Sequence, residues 1–288
     1  MKFLTIINLT NAFSCCIFAM KQFIEIMKMK KFIKILFFSC LYIALTTRGR
    51  AQEWLTHVHN ADVFAEMPAL GCFNPSFASV RFRNDFGTKE MMYAEVFGVL
   101  PVGKNFVLAS VSHYGYANYG NMELGVGYGR NFGDRFAMTA RIFYLMSHAR
   151  GYPARHSLCT DFAFACKVSQ KLWLAATVYN PFMLRYGVVG QEVIPLRFSV
   201  GCTYLPVKKL LMSVLMSKSF PGAWEVGGRF MTQPIAPLML AVDGSNSRIG
   251  VFVGVIYKEF LFSVQASWYY RISVSPEIGG WWFEDPRL

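Results

Sequence analysis

Five histidines, at positions 57, 59, 113, 148 and 156, are the first candidates for chemistry in this chain. Nucleophilic hydrolysis needs a serine, a histidine and a carboxylate that converge. Ser112, Ser147 and Ser157 each adjoin a histidine, and His148 and His156 bracket one polar stretch with Asp161 beyond it. No motif spacing joins these residues, and histidines in polar loops are ordinarily solvated. The chain therefore reads as a non-enzyme. His57-x-His59 offers a pair of metal ligands, whereas a zinc site wants three or four. Gly125-x-Gly127-x-Gly129 lies in a strand pattern and has the wrong spacing for a dinucleotide loop, which precedes a helix. No cofactor or metal is expected. Cys72, Cys159, Cys166 and Cys202 read as small buried hydrophobes. Cys166 and Cys202 share a face but lie on strands separated by a third, too far apart for a disulfide.

A second set of residues is more informative. Arg81, Arg83, Asp85, Glu123, Arg141, Asp161, Lys167, Arg197, Glu225 and Arg229 stand in otherwise apolar segments. Each falls on the face opposite the large apolar side chains. Such charges either line a watery path for a solute, or pair with one another and with a segment lodged among them. Both readings stay open. Gly125, Gly127, Gly129, Ser199, Gly201 and Gly227 share that inner face. Glycine permits close approach of another backbone, which favours a resident plug over a wide empty pore.

The elements that must position these charges are strands. Residues 122–129 alternate Met, Leu, Val, Tyr with Glu, Gly, Gly, Gly, and residues 158–168, 196–204 and 260–270 repeat the pattern. Residues 78–83 place Arg81 and Arg83 on the inner face. At 180° per residue these are amphipathic ribbons. Read as helices, they would scatter charge and glycine around the whole surface. A helix that spans a bilayer needs about 20 consecutive apolar residues. The longest apolar stretch after residue 52 is roughly 249–257, and it contains Gly250 and Gly254.

The turns carry a separate signal. Tight polar connections are expected at residues 101–105, 131–135, 169–171, 206–209, 233–237 and 257–259. Longer ones are expected at 115–121, 148–155, 184–194, 218–223 and 243–247. That alternation marks an up-and-down transmembrane barrel, with tight turns at one rim and loops at the other. The six tight turns join twelve strands, and residues 76–86 and 277–284 supply one more at each end. The expectation is an all-β fold: a closed antiparallel barrel of about fourteen strands. Trp173, Tyr128, Tyr204 and Tyr257 fall near tight turns, and Trp224, Trp268, Tyr269 and Tyr270 near loops, as two interfacial belts would require.

Composition agrees once the N-terminus is set aside. The chain has 288 residues, 29 Lys+Arg against 17 Asp+Glu, 54% hydrophobic and 16% charged. Disorder is excluded by the apolar content, and a disulfide scaffold by the seven scattered cysteines. Residues 28–31 are basic, residues 32–45 apolar, and small and polar residues follow up to Ala51. That order is a secretory leader, with cleavage near Ala51/Gln52. Residues 1–51 form this signal peptide, and residues 1–26 read as an upstream start. The leader takes seven of the twelve net charges with it. The remaining +5 forms no basic patch, so nucleic acid is not a partner. The tight-turn Lys104, Arg135, Lys171, Lys208, Lys209 and Lys258 read as solvated turn residues.

Residues 52–75 precede the first strand and end Leu70-Gly71-Cys72-Phe73-Asn74-Pro75-Ser76-Phe77-Ala78. This Leu-Gly, Asn-Pro-small, Ala order resembles the start of FadL-like outer-membrane barrels, PorV and PorQ of type IX secretion among them. PorP-like barrels also carry an early Asn-Pro. The resemblance implies an N-terminal plug (residues 52–75) inside a fourteen-stranded wall (residues 76–288), with Gly71, Asn74 and Pro75 as the hinge. It also implies an outer-membrane location with membrane lipids as partners. The function it implies is passive transport of small molecules, hydrophobic ones included. The alternative is a secretion-associated or structural barrel that docks secreted or secretion-system proteins.

Overall fold

The computed structural model describes residues 51–88, 90–186, 193–235, 237–270 and 273–284. The leader reading falls on residues outside these, apart from Ala51. Among the described residues, fourteen antiparallel strands close into one barrel. They are β1 (Phe77–Asn84), β2 (Met92–Val102), β3 (Asn105–Tyr116), β4 (Tyr119–Phe132) and β5 (Phe136–Ala149). Next come β6 (Arg155–Ser169), β7 (Leu172–Tyr179), β8 (Leu196–Val207), β9 (Leu210–Phe220) and β10 (Trp224–Ile235). The last are β11 (Leu238–Ser245), β12 (Arg248–Tyr257), β13 (Phe260–Tyr269) and β14 (Val274–Phe283). Neighbours follow chain order, and β1 pairs with β14 from Phe77↔Phe283 to Arg83↔Glu277. Closure leaves no strand edge unpaired, which a lipid environment demands of any sheet.

Alternation does what the sequence pattern implies. Along β5, Ala137, Thr139, Arg141, Phe143 and Leu145 are buried in the lumen, while Met138, Ile142 and Tyr144 are exposed on the outer wall. Val80, Phe82, Val96, Val126, Phe162, Val214, Val253 and Phe262 continue that apolar outer surface around the barrel. Tyr128, Tyr204 and Tyr257 lie outside near the turn rim, and Trp224, Trp268 and Tyr270 near the other. Two belt residues are corrected. Trp173 is 5% exposed and faces the lumen, where the Lys167 ammonium sits 5.9 Å from its ring centroid. Tyr269 also occupies an inward position, against Phe86 at 5.4 Å. In both cases strand phase decides the side, and nearness to a rim does not.

The six tight turns stand where expected, between β2 and β3, β4 and β5, β6 and β7, β8 and β9, β10 and β11, and β12 and β13. The opposite rim is less uniform than expected. Residues 115–121 and 243–247 were to be longer loops, yet only residues 117–118 and 246–247 separate the strands there. The β3–β4 ladder runs out to Tyr116↔Tyr119. Gly115 allows it, at φ +117 and packed so closely on Tyr119 that a Cβ would collide with that carbonyl oxygen. The long connection at this rim is the one between β7 and β8, residues 180–195.

Residues 51–76 lie within the lumen, at the end of the tight turns. They form α1 (Ala51–Asp62) and α2 (Pro68–Gly71), joined by a hydrogen-bonded turn in which Met67 N–H donates to the Val63 carbonyl at 2.7 Å. Leu55, Val58, Ala61, Phe64, Met67, Leu70 and Cys72 are fully buried against inward Phe97, Leu108, Leu205, Leu211, Met231, Phe252 and Leu261. Phe64 stacks on Phe97 at 4.9 Å and meets Phe77 edge-on at 6.0 Å. This half of the lumen is thus a close-packed protein core. The inner-face glycines serve it directly. A Cβ on Gly201 would sit 3.1 Å from the Met67 methyl, and one on Gly129 would sit 2.9 Å from Cys72 Sγ.

Candidate functional site in the lumen

Above the apolar core the lumen turns polar, and a girdle of ion pairs marks the change. Cross-strand register places Arg81 opposite Glu95 and Arg141 opposite Asp161. Opposite charges directly across a ladder attract, and here burial strengthens them. Arg81 Nε donates to Glu95 Oε2 at 3.0 Å. Arg141 Nε donates to Asp161 at 2.9 Å, and its Nη2 donates both to Asp161 and to the Ala65 carbonyl of the plug at 3.0 Å. Asp62, at the end of α1, accepts from Arg229 and lies 3.8 Å from Arg81. The same guanidiniums cover aromatic faces. Arg141 lies 5.2 Å from the Phe64 ring and 4.9 Å from Phe143, and Arg81 lies 5.0 Å from Phe97. A planar guanidinium can both bond in its plane and stack on its face, so each arginine binds wall and plug together.

The hinge is tied as well. Asn74 Nδ2 donates to the His57 carbonyl at 2.9 Å, and its Oδ1 accepts from Asn60 at 3.1 Å. Pro75 follows outside any helix or strand, and Ser76 leads into β1. Gly71 is buried beside Phe64 and Val99, where a Cβ would come within 3.2 Å of the Phe64 ring. His57 stacks on Phe283 at 6.1 Å, while His59 Nε2 bonds Thr203 Oγ1 at 2.9 Å. The two histidines thus reach different walls. Burial lowers the His57 pKa to about 4. Burial, helped by Arg229, lowers that of His59 to about 3. Burial raises the Glu66 carboxyl against the pull of Arg197 and Arg248, and pushes the Cys72 thiol up to about 12.

On the loop side of the girdle lies a cavity of about 320 Å³ whose lining includes Ser112, Tyr114, Glu123, Leu145, Tyr179, Tyr186, Ile194 and Arg197. A second, of about 130 Å³, shares Glu123, Tyr179 and Arg197 with it and reaches Phe64 and Ala65 of the plug. The β7–β8 connection supplies part of this wall. Asn180, in left-handed backbone at φ 52, donates to the Ile194 carbonyl at 2.7 Å and accepts from Leu184 N–H at 2.9 Å. Those bonds fold Ile194 inward onto Phe143, Leu145 and Cys159.

The expected lumen residues divide into three groups. Arg81, Arg141, Asp161 and Arg229 form the girdle. Glu123 and Arg197 line the cavities. Arg83, Asp85, Glu225 and Lys167 stand apart. Arg83 Nε bonds Asp85 at 2.7 Å beyond the end of β1, Glu225 is exposed at the loop rim and accepts from Ser247 at 3.3 Å, and Lys167 sits near the tight turns. Two girdle residues escaped the sequence reading. Glu95 shares the inward phase of Phe97 and Val99 in β2, a signal that alternation carried. Asp62 is the last residue of α1, and no strand pattern points to it. The hydrolytic grouping dissolves, because His148 and His156 lie on the outer wall while Asp161 lies in the lumen. His156 Nδ1 bonds Tyr144 OH there at 2.6 Å.

No protein-family model and no curated protein sequence matches the chain. Solved structures do. The Ralstonia pickettii toluene transporter TbuX superposes with a TM-score of 0.60 at 10% identity, covering 77% of this chain and 93% of that one. The monoaromatic hydrocarbon channel CymD gives 0.59 at 6% identity over 79% and 94%. The Pseudomonas putida toluene transporter TodX gives 0.54 at 8% identity over 76% and 91%. At such identities the likeness is one of fold.

Proposed function

We propose that this barrel sits in the outer membrane and passes small solutes, hydrophobic ones included, by passive transport from its loop-side mouth. The observation that carries the reading is the paired cavity. It opens among Tyr114, Tyr186 and Arg197 and ends on Phe64 and Ala65, so its floor is the plug itself. A concave pocket of a few hundred Å³ suits a small ligand, and this one sets Leu145 and Ile194 beside Ser112, Glu123, Tyr179 and Arg197. The proteins of like fold named above are described as toluene transporters and a hydrocarbon channel, which supports transport as the task of this architecture. In this reading Arg81, Arg141 and Arg229 hold the plug, Glu123 and Arg197 face the solute, and Gly71, Asn74 and Pro75 form the hinge on which the plug is hung.

The test is solute flux through the purified barrel in liposomes, with and without residues 52–75. Slow flux through the full chain and faster flux through the truncated one is expected. No flux in either form overturns the proposal. Heat-modifiable migration on a gel and sedimentation with outer membranes check the location.

A further inference from the structure

The girdle consumes its own charges, but two charges on the cavity wall remain outside it. Glu123 lies on β4 and Arg197 on β8, and both line both cavities. No salt bridge or hydrogen bond joins either of them to a described residue; at longer range Arg197 acts on both Glu66 and Glu123, and Arg141 on Glu123. The Arg197 guanidinium lies 5.7 Å from the ring of Tyr179, and Arg141, the cation nearest in role, is already spent on Asp161 and the Ala65 carbonyl. Leaving a partly buried carboxylate and a guanidinium without hydrogen-bonding partners is unfavourable. Leu145 and Ile194 share the lining of the larger cavity with them, beside Ser112, Asn121 and Tyr179, and Phe143 shares that of the smaller one.

We propose that the loop-side cavity is a binding site for an amphiphilic zwitterion of amino-acid size. Its carboxylate would lie on Arg197, its ammonium on Glu123, and its apolar body against Leu145, Ile194 and Phe143. A cavity of about 320 Å³ has room for such a molecule, and Tyr179 lines it together with both charges. A purely hydrophobic solute would leave both charges unmatched, and an ion of one sign would leave one. The inference rests on the reading of this cavity as the solute's entry site.

The test uses the full folded chain in detergent and calorimetric titration with four probes of one shape. Phenylalanine carries both charges, 2-phenylethylamine the ammonium, 3-phenylpropionate the carboxylate, and ethylbenzene neither. Phenylalanine should bind about tenfold more tightly than either singly charged probe, the effect of one charge-assisted bond. Glu123→Gln should abolish the preference for phenylalanine over 3-phenylpropionate and leave the affinity for 3-phenylpropionate unchanged. Arg197→Gln should do the reverse with 2-phenylethylamine. Equal affinities among the probes, no binding of phenylalanine, or substitutions without effect on the preferences overturn the inference. Flux in liposomes separates this from the broader reading. Flux of ethylbenzene with no zwitterion preference sinks the inference alone, and a zwitterion preference without flux of any probe sinks the transport reading alone.

Discussion

The two ends of the lumen are built on different principles from the same kind of strand. At the tight-turn end, inward side chains such as Phe97, Leu211 and Phe252 close on α1 and α2 as a hydrophobic core. At the loop end, inward Ser112, Glu123 and Arg197 leave space. The ion-pair girdle of Arg81, Glu95, Arg141, Asp161, Arg229 and Asp62 lies where one regime gives way to the other. A barrel wall fixes only which side chains face inward. Whether that inward face becomes a core or a vestibule depends on whether another segment of chain reaches it to exclude water. Here twenty-odd residues of plug reach one half and stop at the girdle.

Changes at the girdle should therefore cost most. Arg141→Met leaves Asp161, whose side chain is 0% exposed, without its cation, and should destabilise the barrel by about 3–5 kcal/mol. Urea unfolding monitored by loss of heat-modifiable migration measures this, and a loss under about 1 kcal/mol would mean that water reaches the girdle. Phe64→Ala, in the plug core, should cost about 3 kcal/mol by removing a buried ring. Its signature is local, with hydrogen exchange of residues 51–75 rising faster than that of the strands. Unchanged exchange in the plug would count against the core description.

A pH effect should sharpen the contrast. His57 and His59 are held neutral in the docked plug, with pKa values lowered to about 4 and 3. Once released they return to about 6.5 and bind protons that the docked form does not. Docking is then fully stable above about pH 6.5 and weakens as the pH falls through the interval down to those lowered values. Glu66 has the opposite sign, since its raised pKa favours docking at low pH. In a Glu66→Gln background, protease cleavage of residues 51–75 should increase between pH 7 and pH 5, and His59→Gln should flatten the slope. Cleavage independent of pH would sink the assignment. The smallest effect belongs at the mouth. Glu225→Gln, at an exposed side chain that accepts from Ser247, should shift unfolding by no more than about 0.5 kcal/mol.

Much of the wall was legible. Alternation in residues 122–129 and 260–270 assigned faces that the register reproduces, because period-two geometry is local and lipid on one side forces apolar residues there. The six tight turns were legible for the same reason. The loop rim was less so. Residues 115–121 look like a loop in composition, yet a ladder continues through Gly115 and Gly120, and pairing partners are not written in a single strand. Trp173 was misplaced because proximity to a turn was weighed above phase.

The sequence by itself determined the barrel, a count of about fourteen strands, and the inward phase of Arg81, Arg141, Asp161 and Arg229, because each follows from side-chain alternation and turn chemistry within a few neighbouring residues. Only the tertiary structure decided what those charges do. Arg141 could equally have lined water until Asp161 appeared opposite it and Ala65 beside it. Asp62 became a girdle residue because α1 ends between Arg81 and Arg229. Glu123 and Arg197 came to line one cavity because β4 and β8, 74 positions apart between these residues, face it together. Pairing across a lumen depends on ring closure and on the plug's depth, and neither distance is encoded near any of the residues that it brings together.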